Sequence, residues 1–309
     1  MITTITLNPM LDKTVYVEAV RPGKIVRASR VEYIVGGKGI NVSRQLHRLG
    51  SDTLATGFAG GEIGALLDRL LNEEGLSHGF VRVGGMTREG VTYCDRNNVQ
   101  TSVFEPPHHV TREEADTMVS LCRSLIGKSS WVVCSGSSPS PEADNIFRDV
   151  VAMARGAGIP SVLDSYGNAF QLALTSVPVL IKPNKEEYEQ MFGKRLEKED
   201  DFRSALDSLL RLGVTYCIIT AGAAPFYAAT REGMWKVRPP EVKAVNATGS
   251  GDSMVAGFLF GLTHGWEFER CLRFGAAAGA ANASVWEVAA SSREQIDVLE
   301  GRVDVVALR

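Results

Sequence analysis

The chain has 309 residues, 44% apolar and 22% charged, with a formal net charge of −3. A chain of this size and composition buries a large core without disulfides or structural metal, which excludes disorder, collagen and coiled coil as descriptions of the whole. The slightly negative charge excludes the strongly basic domain of a duplex nucleic-acid binder, while leaving room for a local basic pocket that takes a small anion.

Residues 2–7 alternate Thr with Ile and Leu and stop at Asn8-Pro9, which reads as a buried strand ending in a turn. Residues 12–35 are β-rich, with strands over 14–17 and 26–35 around the Pro22-Gly23 turn. A Gly cluster at 36–39 opens a helix carrying Ile40, Val42, Leu46 and Leu49, which Gly50 ends. Strand 53–58 leads into an amphipathic helix over 63–74, and residues 79–105 return to β patterning around an Asn97-Asn98 hairpin turn. From residue 111 the rhythm becomes α/β. Helix 112–126 stands behind Thr111, whose partner Glu114 completes a capping box. Strand 131–135, helix 141–155, strand 161–164, a helix near 167–176, strand 179–182, helix 199–212 and strand 215–220 follow. A hairpin at 226–230 and 234–238 precedes two Gly- and Ala-rich helices over 250–263 and 267–285. This alternation predicts one α/β domain over 1–309, with a central, mostly parallel sheet covered by helices on both faces. The stretches 12–35 and 86–106 have no helices of their own and read as a small β-sheet that forms a lid. No apolar run approaches the ~18 residues of a membrane span, and no membrane partner is expected. The N-terminus lacks the basic region of a signal peptide, and the five cysteines, an odd count with no C-x-x-C, predict buried, reduced thiols in a cytoplasmic protein.

Gly counts 31, above the usual ~7%, and two Gly-rich loops open helices. The first turn after NATGSGDS at 246–253 offers free amides to an anion through Gly249, Ser250 and Gly251, and holds a lone carboxylate, Asp252. Asp252 is either a helix cap or a general base beside that anion hole, a pairing that suits phosphoryl transfer. GGKGIN at 36–41 matches neither the G-x-x-x-x-G-K-[ST] phosphate loop nor the G-x-G-x-x-G dinucleotide fingerprint. It is either a plain turn and helix start or a polyol-binding loop in which Gly37 approaches the ligand while Lys38 and Asn41 donate. Asp12 is a surface turn residue or a ligand group beyond a strand end. Asn184 and Glu187, three apart after Lys182-Pro183, form a capping box or hold hydrated Mg²⁺. Lys24 and Arg88 are solvated charges or grips for a phosphate. His108-His109 reads as a loop feature.

Taken in this order, TLNPMLD at 6–12, GGKGIN at 36–41, SGS at 135–137, KPNKEE at 182–187 and NATGSGDS at 246–253 resemble the PfkB (ribokinase-like) family of carbohydrate kinases over nearly the whole chain. The TLNPxxD opening is similar to the branch acting on phosphorylated ketohexoses. The resemblance implies a ribokinase-like fold, ATP and Mg²⁺ as cofactors, a β-lid over the sugar and a homodimer made lid against lid. It implies Asp252 as base, Gly249 to Gly251 as anion hole, and Asn184 and Glu187 at Mg²⁺. Asp12, Lys24, Gly37, Lys38, Asn41, Arg88 and Ser137 would meet the sugar phosphate, and Lys182, Asn184, Thr220 and Gly222 the nucleotide. The expected reaction converts fructose 1-phosphate to fructose 1,6-bisphosphate. Tagatose 6-phosphate and fructose 6-phosphate are the alternatives in class, an unphosphorylated sugar or nucleoside is a third, and a non-catalytic sensor is the alternative outside it. Departures from the family pattern are Ser250 for Ala, Ser138 for Leu, Pro107 for a lid Gly and Pro225 for the last Gly of the ATP-side S-x-G-x-x-G, where φ becomes fixed near −65°.

Overall fold

Apolar residues at alternate strand positions face two different helix layers, and this parity organises the fold. The computed structural model describes residues 1–97 and 99–308. The chain begins β1 (Ile2–Thr6), β2 (Met10–Tyr16), β3 (Arg30–Gly36), α1 (Lys38–Arg48), β4 (Thr53–Gly60), α2 (Gly61–Glu73), β5 (His78–Val83), β6 (Arg88–Cys94) and β7 (Gln100–Phe104). It continues α3 (Arg112–Ile126), β8 (Trp131–Ser135), α4 (Ile146–Gly156), β9 (Ser161–Asp164), α5 (Gly167–Leu174), β10 (Leu180–Ile181), α6 (Lys185–Phe192), α7 (Glu199–Arg211) and β11 (Tyr216–Ile219). It ends β12 (Phe226–Ala229), β13 (Met234–Arg238), α8 (Ser250–Thr263), α9 (Phe268–Ala283), α10 (Arg293–Glu300) and β14 (Asp304–Leu308).

Ten strands form one sheet in the order β14-β13-β12-β11-β10-β9-β8-β1-β4-β5. The pairs from β5 through β11 are parallel, and β12, β13 and β14 add antiparallel at one edge. Val132, Leu163, Ile181 and Cys217 pack on one side with Met118, Phe147, Phe170 and Leu206 from α3, α4, α5 and α7. Their strand neighbours Val133, Val162, Leu180 and Ile218 pack on the other with Leu46, Phe258, Phe274 and Ile296 from α1, α8, α9 and α10. Both faces are therefore sealed, as the near-continuous apolar character of these strands requires. Pairing of α8 with α9 is close because a Cβ on Gly257 would stand 3.1 Å from the Gly275 Cα.

The second sheet has the order β3-β2-β6-β7 and joins the two β-rich stretches by pairing residues 78 positions apart, Met10 with Arg88 and Tyr16 with Cys94. Register places Lys13, Val15, Val31, Tyr33, Val91, Tyr93 and Val103 on one face and Met10, Asp12 and Arg88 on the other.

The Thr111–Glu114 capping box forms. The expected helix over 141–155 is instead a 3₁₀ turn at Pro141–Ala143 followed by α4, which starts only at Ile146. The elements α10 and β14 have no counterpart in the expectation. β14 is an edge strand with three of five residues exposed, so it carries no apolar alternation to read. The Asn97-Asn98 turn falls in part on Asn98, outside the described residues. All five cysteines are buried and unpaired. Among the described residues no helix is long and apolar enough to cross a membrane.

Candidate active site

Because β1, β8, β9, β10 and β11 are parallel neighbours, their carboxyl ends open along one edge of the sheet. Open α/β sheets bind ligands there. A cavity of about 950 Å³ runs along this edge, walled by Asn8 after β1, Ser137 after β8, Tyr166 after β9, Lys182 after β10 and Thr220 after β11. The α1 start adds Gly37, Lys38 and Asn41, the α8 start adds Gly249 to Asp252, and the second sheet adds Met10, Asp12 and Arg88. Residues that lie up to 240 positions apart in Asp12 and Asp252 thus share one wall.

At the α8 start, Gly249 is the N-cap residue with φ 79°, and no side chain caps the helix. Ser250 N donates to the Ala247 carbonyl at 3.2 Å, and the amides of Gly249 and Gly251 are left for an anion. A Cβ at Gly249 would stand 2.5 Å from Val288 Cγ1, so both the left-handed backbone and the space demand glycine. Asn282 braces this turn by donating Nδ2 to the Thr248 carbonyl (2.8 Å) and to Ser250 Oγ (3.0 Å). The Lys182 ammonium lies at the same turn, 3.5 Å from where a Gly251 Cβ would be.

Asp252 does not cap α8. It is buried, and its Oδ2 accepts a hydrogen bond from Asn41 Nδ2 at 2.8 Å. Beside it Lys38 Nζ meets Asp164 Oδ1 at 3.2 Å and Glu187 Oε1 at 3.0 Å, while Lys182 Nζ meets Asp164 Oδ1 at 3.4 Å. Three carboxylates thus face two ammonium groups, an excess of one negative charge. Burial, and then the Asp164 carboxylate, push the Asp252 carboxyl up to about 6, against the pull of Lys38. Asp164 is held low by Lys182 and Lys38 despite its burial.

Asn184 and Glu187 form the full capping box of α6: Asn184 Oδ1 accepts from Glu187 N at 2.8 Å and Glu187 Oε2 accepts from Asn184 N at 2.9 Å. The cap occupies the Asn184 oxygen and one Glu187 oxygen, and leaves Glu187 Oε1 facing the network. Asp164 Oδ2 is buried without a hydrogen-bond partner. Among the described residues no group of three or more His, Cys, Asp or Glu is placed to enclose a metal, and these few hard carboxylate oxygens fit Mg²⁺ only as an ion that keeps most of its shell from waters and phosphate.

At the other end Asp12 is half-buried, and its loss of solvent raises it to about 6, with Arg88 and Arg44 drawing it back. Gly36 has no room for a side chain because Asp12 Oδ2 fills that space. Arg88 carries a buried, unpartnered Nε, and Asn8 Nδ2 donates to Ser137 Oγ at 3.0 Å. Past Thr220, the wall becomes apolar through Ala223, Phe226, Pro239, Pro240, Val242 and Ala280. Gly222 has φ 62°, and the Ala224 N–H donates to the Ala221 carbonyl, so this turn is complete before Pro225 enters β12.

Of the residues named from sequence, Lys24 alone stays outside the cavity wall. It sits in an exposed turn between β2 and β3, where Ile25 is 92% exposed and no apolar contact draws the loop inward. Lys24 is thus not brought to the cavity wall with the other residues expected at the sugar phosphate. Asp164 and Tyr166 were not singled out, although a carboxylate at a strand end followed by Ser-Tyr-Gly was the available signal. Tyr166 lines the cavity with Lys38 Nζ 5.7 Å from its ring centroid. Arg44 also went unmarked, one turn after Asn41 on α1.

A model of the pfkB family of carbohydrate kinases matches residues 5–295, and the chain belongs to that family. Over 309 residues it is 28% identical to tagatose-6-phosphate kinase of Staphylococcus epidermidis, spanning 99% of each chain. It superposes on phosphofructokinase-2 of Escherichia coli, solved in complex with potassium, with a TM-score of 0.91 and 27% identity over 97% of this chain and 98% of that one. It superposes on a possible 1-phosphofructokinase of Thermotoga maritima with a TM-score of 0.90 and 28% identity over 100% and 99%. The chain is a phosphotransferase acting on a sugar hydroxyl, and its large mostly parallel sheet flanked by helices is the ribokinase-like fold.

Proposed function

We propose that the protein transfers the γ-phosphoryl group of ATP to a ketohexose monophosphate, with fructose 1-phosphate first and tagatose 6-phosphate second. One observation carries this reading: Asp252 is a buried carboxylate in the same helical turn as the free amides of Gly249 and Gly251. The sugar hydroxyl loses its proton to Asp252 and its oxygen attacks the γ-phosphorus in line, while the bond to the β-phosphate oxygen breaks and ADP leaves. The α8 amides and the Lys182 ammonium meet the charge spread over the moving phosphoryl oxygens. Asp164 and Glu187 would hold Mg²⁺, with Asn184 setting the Glu187 position, and the ion when bound neutralises phosphate charge. Thr220, Gly222 and the apolar wall would take the nucleotide.

Arg88 supports a substrate that already carries phosphate. It brings a guanidinium with an unpartnered Nε to the cavity, flanked by Asp12, Asn8 and Ser137. A free sugar would bring no anion to that guanidinium, leaving the Asp12 carboxylate beside it but its Nε still unpaired. The identity to a tagatose-6-phosphate kinase favours the second substrate, the likeness to a possible 1-phosphofructokinase the first. The second sheet would act as a lid, since one face supplies Asp12 and Arg88 and its closure would exclude water from the transfer. Its outward face would pair two copies.

The test is ADP production by the purified protein with ATP and Mg²⁺ on fructose 1-phosphate, tagatose 6-phosphate and fructose 6-phosphate in parallel. A kcat/KM at least ~10-fold higher for one names the substrate, because that is about 1.4 kcal/mol of discrimination. Folded protein inactive on all three sinks the reading.

A further inference from the structure

We infer that Arg44 is a positioning residue that sets the proton affinity of the base Asp252 through the amide of Asn41, and that Glu74 holds Arg44 for this task. The three links are all direct. Arg44 Nε donates to Glu74 Oε2 at 2.6 Å and its NH2 donates to Glu74 Oε1 at 3.1 Å, a two-toothed grip. NH2 also donates to the Val35 carbonyl at 2.8 Å. NH1 donates to Asn41 Oδ1 at 2.8 Å, and Asn41 Nδ2 donates to Asp252 Oδ2 at 2.8 Å.

A guanidinium only donates, so the Asn41 atom facing it must be the carbonyl oxygen. The NH₂ of the same amide is then the group turned to Asp252. Without Arg44 only the charge on Asp252 selects the amide orientation, and the flipped one, with its carbonyl oxygen turned to Asp252, accepts from the protonated carboxyl and so favours the proton. The present orientation favours the ionised form of the base, which counteracts the burial and the Asp164 charge that favour the proton. Arg44 is itself buried and does not line the cavity, so it acts on the reaction only through Asn41. The facing groups are those of α1 (Lys38, Asn41, Arg44), Glu74 after α2, Asp164 at the end of β9 and Lys182 after β10. Of these only the Arg44–Asn41 link fixes an amide against the base.

The experiment is the pH dependence of kcat for the wild type, Arg44→Met, Glu74→Ala, Asn41→Ala and the double variant Arg44→Met with Asn41→Ala. The acid limb in Arg44→Met should move up by about one pH unit, the loss of a hydrogen bond to a charged group. The corresponding rate below both limbs falls about 10-fold. The KM for ATP should stay within about twofold. Adding Arg44→Met to Asn41→Ala should move the limb no further, because the pathway is already cut. Glu74 is partly exposed, so Glu74→Ala keeps the fold if Arg44→Met does not, and it should shift the limb the same way by less. An unmoved limb in folded Glu74→Ala and Arg44→Met, or a shift that adds fully in the double variant, overturns the inference. It rests on Asp252 being the base. Near-normal turnover by Asp252→Asn, or a wild type inert on all three sugar phosphates, removes both readings, whereas an impaired Asp252→Asn beside an unmoved limb removes only this one.

Discussion

The proposed base, Asp252, sits where its charge is expensive, and that would suit it to the role. A carboxylate raised to about 6 is mostly ionised at neutral pH yet still basic enough to hold a proton in transit. The sign of the pH effect follows. Protonated Asp252 accepts nothing, so kcat should fall as pH drops through about 6, roughly tenfold per unit below it, and level off above. Asp252→Asn keeps the shape of the side chain and should leave folding and ligand binding near normal. Its kcat should fall at least ~10²-fold, checked by steady-state kinetics beside a thermal melt. Arg44, Asn41 and Asp252 illustrate why this site is hard to read one residue at a time. Asn41 and Asp252 are 211 positions apart, and Arg44 looks like any charge on a helix until Asn41 is seen beside it.

At the scale of elements, the start of α8 concentrates the most constraint. Its N-cap glycine is left-handed, its first-turn amides face the cavity, and its packing against α9 and the 282–289 loop leaves no slack. Gly249→Ala should cost about 1–2 kcal/mol from backbone conformation alone, and more from the clash with Val288. Urea unfolding would read the first effect. A fall in kcat larger than any change in sugar-phosphate KM would read the distortion of the anion hole. The second sheet touches the same loop from the other side. The Tyr16 ring lies 5.9 Å from Trp286, whose carbonyl accepts from Asn246 Nδ2 at 3.0 Å. Asn246 Oδ1 in turn accepts from Thr248 N at 3.0 Å, next to Gly249.

At the scale of the molecule, the second sheet has one face turned to the cavity and one turned to solvent. On the outward face Tyr33 is 46% and Val103 61% exposed, with Val31 and Tyr93 beside them. In the pairing proposed above, these apolar side chains are covered by the same face of a second copy. Wild-type protein should sediment as a dimer. Tyr33→Glu with Val103→Glu should shift it to the monomer and, by loosening the sheet that carries Asp12 and Arg88, raise the KM for sugar phosphate more than the KM for ATP. A monomeric wild type with full activity would refute the pairing.

Strand parity, helix caps and Gly-rich helix starts are local properties, and they were legible in the chain. The capping boxes at Thr111 and Asn184 and the apolar alternation of the parallel strands follow from neighbours within four residues. The site motifs were legible too, because each ends a strand or starts a helix at which backbone amides are free. What the chain could not decide was which ends meet. Whether Asn184 and Glu187 cap a helix or serve chemistry was a choice between alternatives until α6 showed that one pair does the first and still offers Glu187 Oε1. Lys24 looked equivalent to Arg88, and only the fold separates an exposed turn from the cavity wall. Asp164 gains its role from Lys38 and Lys182, and Arg44 from Asn41 and Glu74. Charge and hydrogen bonding act through space over a few ångströms, so the partners that tune Asp252 are set by the packing of strand ends and not by their order along the chain.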